Sequence, residues 1–283
     1  IRVSSHESSF SCTNRSIIIM KNFVISLACA NERHEHITSE FSKHGIAFSF
    51  FNAITPDLID QVAKDVSLDI THADLKHCEV ACLLSHVVLW QKAVDENLDF
   101  VGIFEDDIHL GQQAEEILTQ TGWIPDDAHI IKIEAFYPKA TVSMRSKSIF
   151  CANRKLVELR SKHMGAGGYI LSYQGAKALL HFIKEYKTII PIDHILFKDY
   201  LMSGEHKVYQ MLPALCVQDF ILMSGKTSLP SYLAQERKLR KGNISKVEET
   251  LTLKEKFTKE FRRFLAQLIR FRKAEYIVKI KFR

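Results

Sequence analysis

The fold turns on Phe100-Val101-Gly102-Ile103-Phe104-Glu105-Asp106-Asp107. The first five residues make an apolar run of strand length, rich in β-branched and aromatic types. Three carboxylates follow without a break. An unpaired carboxylate is costly inside a closed core, so the strand must end at a mouth of the fold. In α/β proteins the C-terminal ends of parallel strands form such a mouth, and ligands collect there. Glu105 and Asp107, two apart, project toward one ligand while Asp106 turns away. Such oxygen ligands suit Mg²⁺ or Mn²⁺, which take one or two carboxylates together with substrate phosphates. The competing reading is a solvated acidic loop behind a buried strand.

Outward from that stretch, strands and helices alternate. Upstream, Val80, Leu83, Leu84, Val87, Val88 and Val94 recur at helical spacing. They predict a helix from about Thr71 to the break at Asn97-Leu98-Asp99, and it carries Glu79, Ser85 and His86. Residues 23–27 read as a first strand, the charged stretch to His44 as a helix stopped by Gly45, and residues 46–51 as a second strand. That opening has the size of one βαβ unit. Downstream, residues 129–133 read as a strand ending near Glu134, and the aperiodic polar residues 138–162 as a loop or lid. Residues 165–168 form a tight bend into a short strand, residues 172–186 and 191–201 are helical, and residues 208–212 are a late strand. The pattern predicts an α/β fold with a mainly parallel central sheet.

The composition is that of a globular protein: 283 residues, 46% hydrophobic and 25% charged, with 11 Gly and 6 Pro. It excludes collagen-like and low-complexity chains, and no apolar run approaches the ~20 residues of a membrane span. The six scattered cysteines read as reduced thiols, which fits a cytoplasmic protein. The net charge of +5 conceals a division, because residues 237–283 hold 16 Lys and Arg against 5 Asp and Glu. In that tail Phe257, Phe261, Phe264, Leu265 and Leu268 share one helical face, and Lys259, Arg262, Arg263, Arg270 and Lys273 lie on the other. A basic amphipathic helix of this kind lies on anionic membrane through residues 250–283, or packs back on the body or on another subunit. The remaining body is acidic and lacks basic–aromatic interleaving, which argues against nucleic acid as a partner. The expected organisation is a poorly ordered extension over residues 1–19, a main domain over 20–235 and a basic helical tail over 236–283.

Asn22-Phe23-Val24-Ile25-Ser26-Leu27, Glu32-Arg33 and Phe50-Phe51-Asn52-Ala53-Ile54 open a series of blocks. Glu79-x-x-Cys82-x-x-Ser85-His86 and Ile103–Asp107 continue it, then residues 165–171 and Pro191-Ile192-Asp193. In this order, over roughly residues 20–225, the chain resembles glycosyltransferase family 25, the lipopolysaccharide-biosynthesis galactosyltransferases. The resemblance implies a GT-A type fold, a nucleotide-sugar donor (usually UDP-galactose), a divalent cation (Mn²⁺ or Mg²⁺) and inversion at the anomeric carbon. It also implies a lipooligosaccharide acceptor, met at the cytoplasmic face of the inner membrane. Carried over to this sequence, Asp107 is the metal ligand, Glu105 lies beside it toward the nucleotide, and Asp193 is the base that takes the acceptor proton. His194 departs from the aromatic residue that family members often place there. Asp219 is a further candidate for the metal shell. Arg33, Ser85, His86, Gly167 and Gly168 are candidates for donor binding. For each a plainer role stands beside it: a surface arginine, helix packing, an ordinary turn. The intact acidic run and Asp193 speak against a carbohydrate-binding module without catalysis.

Overall fold

Lys21–Ser26 alternates its side chains between two apolar layers, as a strand buried on both faces must. Phe23 and Ile25 enter one core and Val24 the other, and Ile103 and Phe104 of the neighbouring strand divide in the same way. This computed structural model describes residues 20–73, 75–229, 267 and 270–283. The expected extension over residues 1–19 and most of the expected tail helix lie outside the described residues.

The first half of the chain runs β1 (Lys21–Ser26), α1 (Asn31–Lys43), β2 (Ser49–Asn52), α2 (Ile59–Asp65), α3 (His77–Asp95), β3 (Phe100–Glu105), β4 (Ile108–Leu110), α4 (Ala114–Leu118) and β5 (Ala128–Lys132). The second half runs β6 (Lys139–Ile149), β7 (Arg154–Leu159), β8 (Gly168–Ser172), α5 (Tyr173–Lys184), α6 (Ile192–His194), α7 (Tyr200–Ser203), β9 (Lys207–Leu212), β10 (Cys216–Gln218), α8 (Asp219–Leu222) and β11 (Glu275–Lys279). Local signals placed several of these ends. Gly45, at φ +63°, ends α1 where the sequence predicts. Ser172 caps α5 by accepting from the Gly175 amide at 3.0 Å.

Among the described residues the main sheet has nine strands, in the order β11-β6-β7-β9-β5-β8-β3-β1-β2. The fold is α/β as expected, but the sheet is mixed rather than mainly parallel. β1 pairs in parallel with β2 and β3, and β5 with β9; the other neighbours are antiparallel. The reversal centres on β8, which runs antiparallel between β3 and β5. Helices α3 and α5 cover one face, with Trp90, Leu83, Leu84 and Leu179 in its core. Ile37 and Phe41 of α1 and Ile117 and Leu118 of α4 fill the other.

Two further expectations are corrected. Residues 138–162 form a hairpin, β6 with β7, not a loop or lid. Ala140 and Val142 point inward while Arg145, Ser146 and Lys147 face solvent, so the polar face of an edge hairpin hid its strand character. The tail is not helical to its end, because β11 pairs antiparallel with β6, Ile277 opposite Thr141. Tyr276-Ile277-Val278 is a β-branched and aromatic triplet that fits a half-buried edge. Beyond it, buried Arg154 donates from Nη1 to the carbonyls of Pro213 and Ala214 and from Nη2 to those of Gln112 and Arg283. The last residues of the basic segment are therefore part of the sheet.

Candidate active site

Because β8 is antiparallel, its first residues arrive where β3 and β5 end. Gly168 stands opposite Phe104, and Tyr169 opposite Lys132. The Glu105 amide donates to the Gly167 carbonyl at 3.1 Å. Glu105 at the end of β3, Glu134 just past β5 and the glycine turn of residues 165–168 thus share one rim. From β10, Gln218 Nε2 donates to Glu105 Oε2 at 3.2 Å, and the next amide, of Asp219, donates to the Asp107 carbonyl at 2.7 Å.

The three carboxylates have three different surroundings. Asp106 is buried and turned away, as expected, onto Ser26 Oγ at 2.6 Å and onto the Arg33 guanidinium. Asp107 has the Arg33 Nη2 atom at 3.8 Å, and its Oδ1 is shielded from solvent without a hydrogen-bond partner among the described residues. Burial pushes the Asp107 carboxyl up to about 6. Arg33 opposes that rise, and the carboxylates of Asp106, Glu134 and Asp219 add to it. Arg33 is held above its ordinary value: burial lowers it, but Asp106, Asp107 and Glu105 outweigh the burial. It is no surface arginine; α1 delivers it into the acidic cluster. A buried carboxylate oxygen without a hydrogen bond, among other carboxylates, has the donor chemistry a divalent cation takes, and the residues present fit the ion that the resemblance implies.

A second chain of contacts starts at Lys132, which is fully buried. Its ammonium pairs with Glu134 Oε2 at 2.9 Å, donates to the Gly165 carbonyl and sits 4.2 Å from the Phe197 ring centre. Glu134 Oε2 also accepts from the Gly167 amide at 3.2 Å, while Oε1 is buried without a hydrogen-bond partner. The Gly165 amide in turn donates to Asp193 Oδ2 at 3.2 Å, which ties the expected base to this rim. Gly165 has φ +91°, and a Cβ there would lie 2.6 Å from Phe136; one on Gly167 would lie 2.7 Å from Gln218 Nε2. Gly165 admits only glycine, and a side chain at Gly167 would displace Gln218 from Glu105.

Lys132 was not among the sequence candidates. The signal was present, since a lysine inside the apolar run His129–Ile133 needs a buried partner. Replacing Lys132 by Met leaves Glu134 buried and unpaired, and is expected to cost about 3–5 kcal/mol of stability. Urea unfolding of the single variant and of the double variant with Glu134→Gln tests this: the double should recover part of the loss.

The helical candidates divide. Ser85 is fully buried; its Oγ accepts from the Ile54 amide and donates to the Ala81 carbonyl, both at 2.9 Å. That makes it a tie between α3 and the loop after β2. His86 Nδ1 lies 2.9 Å from the Tyr169 hydroxyl, which also accepts from Trp90 Nε1 at 2.9 Å. Burial pushes His86 down to about 3, so the ring is neutral. One of its nitrogens lies within 4.8 Å of Cys82 Sγ and of a Glu105 carboxylate oxygen, which puts His86 behind Glu105. Glu79 accepts from the Lys76 amide at 3.1 Å and caps α3. Asp219 is fully buried with both oxygens engaged: Oδ1 by His109 Nε2 and Ser228 Oγ, Oδ2 by Thr227 Oγ1 and the Ser228 amide. Burial alone would raise its pKa; these hydrogen bonds prevail and hold it far below the ordinary carboxylate range.

This geometry belongs to a chain with known relatives. The profile of glycosyltransferase family 25 (LPS biosynthesis protein) matches residues 19–196. The lacto-N-neotetraose biosynthesis glycosyltransferase LgtB of Neisseria meningitidis serogroup B is 36% identical over 212 residues, 71% of this chain and 76% of that one. LgtE of the same organism is 34% identical over 272 residues, 90% and 95% of the two chains. The lipooligosaccharide biosynthesis protein lex-1 of Haemophilus influenzae is 32% identical over 271 residues, 85% and 88%. The acidic rim described above, from Arg33 to Asp193, falls within the matched residues, and the chain belongs to glycosyltransferase family 25.

Proposed function

We propose that this glycosyltransferase moves galactose from UDP-galactose, with inversion to a β linkage, onto a growing lipooligosaccharide acceptor. The fold would then be of the GT-A type. The observation that carries the reading is the partnerless Asp107 oxygen beside Arg33 at the mouth of β3. Asp107, with Glu105 next to it, would hold Mn²⁺ or Mg²⁺, which when bound neutralises charge on the leaving diphosphate. Arg33 contributes a second, fixed positive charge there, kept in place by Asp106 and Ser26. Asp193 takes the proton of the attacking acceptor hydroxyl, as inversion by a single displacement requires. The Gly165 amide holds one of its oxygens, leaving the other for that proton. The deciding experiment offers a panel of UDP-sugars with truncated lipooligosaccharide acceptors, with and without Mn²⁺, and reads the anomeric configuration of the product. Transfer from a different sugar nucleotide, a retained configuration or full activity in excess EDTA would overturn the corresponding part.

The acceptor is lipid-linked in this reading, so the enzyme works at the cytoplasmic face of the inner membrane as a peripheral protein. No helix among the described residues is long and apolar enough to cross a membrane. Support for surface attachment comes from Phe271, 75% exposed and flanked by Arg270, Arg272 and Lys273. Deleting residues 250–283 would also remove β11, so point changes are the cleaner test. Phe271→Ser with Arg272→Gln and Lys273→Gln is expected to release the protein from anionic vesicles at low salt while leaving transfer to a soluble acceptor intact. Vesicle flotation checks it; undiminished binding of the variant refutes this patch.

A further inference from the structure

A second cluster, outside the rim just described, lies where α1 crosses β4. One ring nitrogen of His36, one of His109 and a carboxylate oxygen of Glu40 lie within 4.8 Å of one another. The two imidazole rings meet edge to face, 4.7 Å between centres. His36 and Glu40 are a helical turn apart on α1, so both point the same way.

The partners of the two rings fix their protons. His36 Nε2 lies 2.8 Å from the Ile108 carbonyl, which can only accept, so Nε2 carries the hydrogen. His109 Nε2 lies 3.0 Å from Asp219 Oδ1, and both oxygens of Asp219 already accept from Ser228 and Thr227, so this nitrogen too carries the hydrogen. When neutral, each ring therefore keeps its lone pair on Nδ1. Glu40 is buried; it accepts from the Leu110 amide at 3.0 Å and pairs with Lys43, and a carboxylate keeps further lone pairs beyond those two. Each ring thus keeps one lone pair outside these two bonds, in a cluster that also holds a carboxylate. Each histidine also has an outer acceptor that orients it, a carbonyl for one and a carboxylate for the other, which is the habit of metal-bound histidine.

We propose that His36, Glu40 and His109 bind one borderline divalent transition ion, zinc in the first instance, separate from the cation at Asp107. Imidazole nitrogen with a single carboxylate selects Zn²⁺ or Co²⁺ over Mg²⁺. The ion pins α1 to β4. Arg33 lies one turn before His36, Asp107 two residues before His109, and Asp219 touches His109 directly. The site thus braces the elements that carry the acidic rim without touching substrate.

The test uses the full chain stripped of metal with EDTA and titrated with Co²⁺, followed by visible absorption, then challenged with Zn²⁺. One Co²⁺ per chain with a nitrogen-ligand spectrum, displaced by Zn²⁺, is expected. His36→Gln and His109→Gln retain a side-chain N–H for Ile108 and Asp219 but lose the ring lone pair. Each should weaken binding by about a hundredfold or more, and Asp107→Asn should leave the spectrum unchanged. Zn²⁺ should also raise the melting midpoint of the unmodified protein by several degrees, and anomalous scattering at the zinc edge should place the ion between His36 and His109. These last two readouts need no variant. Absence of the Co²⁺ spectrum, binding that survives the double variant or disappears with Asp107→Asn, or an anomalous peak elsewhere would overturn the proposal. The three side chains would then serve only to cap the free edge of β4.

Discussion

Asp107→Asn is expected to abolish transfer and, at the same time, to make the metal-free protein more stable above pH 6. Burial holds the Asp107 carboxyl at about 6; Arg33 counteracts the rise, while Asp106, Glu134 and Asp219 contribute to it. In the unfolded chain an aspartate titrates near ~4. Between those values the native state holds a proton that the unfolded state has released. Native stability from this group therefore falls as pH rises from about 4 to about 6, and stays low above it. The ionised form costs the metal-free fold on the order of 2–3 kcal/mol there. Asparagine keeps the shape without the charge and removes that cost. Urea midpoints of wild type and variant should separate at pH 7.5, with the variant higher, and converge toward pH 4. Mn²⁺ affinity of the wild type should weaken below pH 6, where Asp107 protonates. The same substitution removes the carboxylate proposed to seat the cation, and a bound cation would supply several kcal/mol at the transition state. Each 1.36 kcal/mol is about tenfold, so turnover should drop by three or more orders of magnitude. A variant less stable than wild type at pH 7.5, or one with near-normal turnover, would refute the seat at Asp107.

The parts of this site that were legible in the sequence are those whose meaning is local. A β-rich run that ends in Glu105-Asp106-Asp107 is read within eight residues, and Gly45 stops α1 wherever α1 packs. What could not be read is which carboxylate does what. Asp106 is assigned by Ser26 and Arg33, 80 and 73 residues away in the chain. Asp107 is assigned by an Oδ1 left without a hydrogen bond among the described residues, with Arg33 only within ion-pair range of its other oxygen. The direction of β8 was equally hidden, because residues 165–172 have the same composition whichever way the strand enters the sheet. That direction is what brings Gly167 to Glu105 and Gly165 to Asp193. The resemblance pointed to the glycine block and to Asp193 separately; their contact through the Gly165 amide needed three dimensions. Ser85 shows the opposite case. Its place in a motif left donor binding and helix packing both open, and the structure makes it a buried tie between a helix and a loop.

Edge position explains the remaining misreadings. β6, β7 and β11 lie at the far margin of the sheet, where one face is wet and the inward residues are spaced among charges. A basic stretch read by its helical period alone misses the triplet Tyr276-Ile277-Val278. The same stretch is thus divided: Phe271 stands exposed while β11 belongs to the fold.

Asp193→Asn is expected to leave the fold and donor binding intact and to lower kcat by about 10²–10⁴-fold, the contribution of a positioned general base. The amide oxygen of asparagine still accepts from the Gly165 N–H, so the turn, Lys132 and Glu134 keep their places. What is lost is the ability to receive a proton. Asp193→Ala differs in a useful way: it also removes the acceptor for Gly165 and should add a loss of stability to the loss of rate. Glu134 is the rival base, with a partnerless Oε1 on the same rim. It is the poorer one, because it is fully buried and ion-paired with Lys132. A proton accepted there would leave the Lys132 charge buried without its counter-ion, at several kcal/mol. Asp193 is partly exposed and, among the described residues, has no such partner to strand. Steady-state kinetics with donor and acceptor varied separately, together with calorimetric titration of UDP in the presence of Mn²⁺, decide between them. A fall in kcat with unchanged UDP affinity for Asp193→Asn, set against a melting midpoint near that of wild type, supports Asp193. Near-normal turnover of Asp193→Asn beside a collapse for Glu134→Gln would move the base to Glu134.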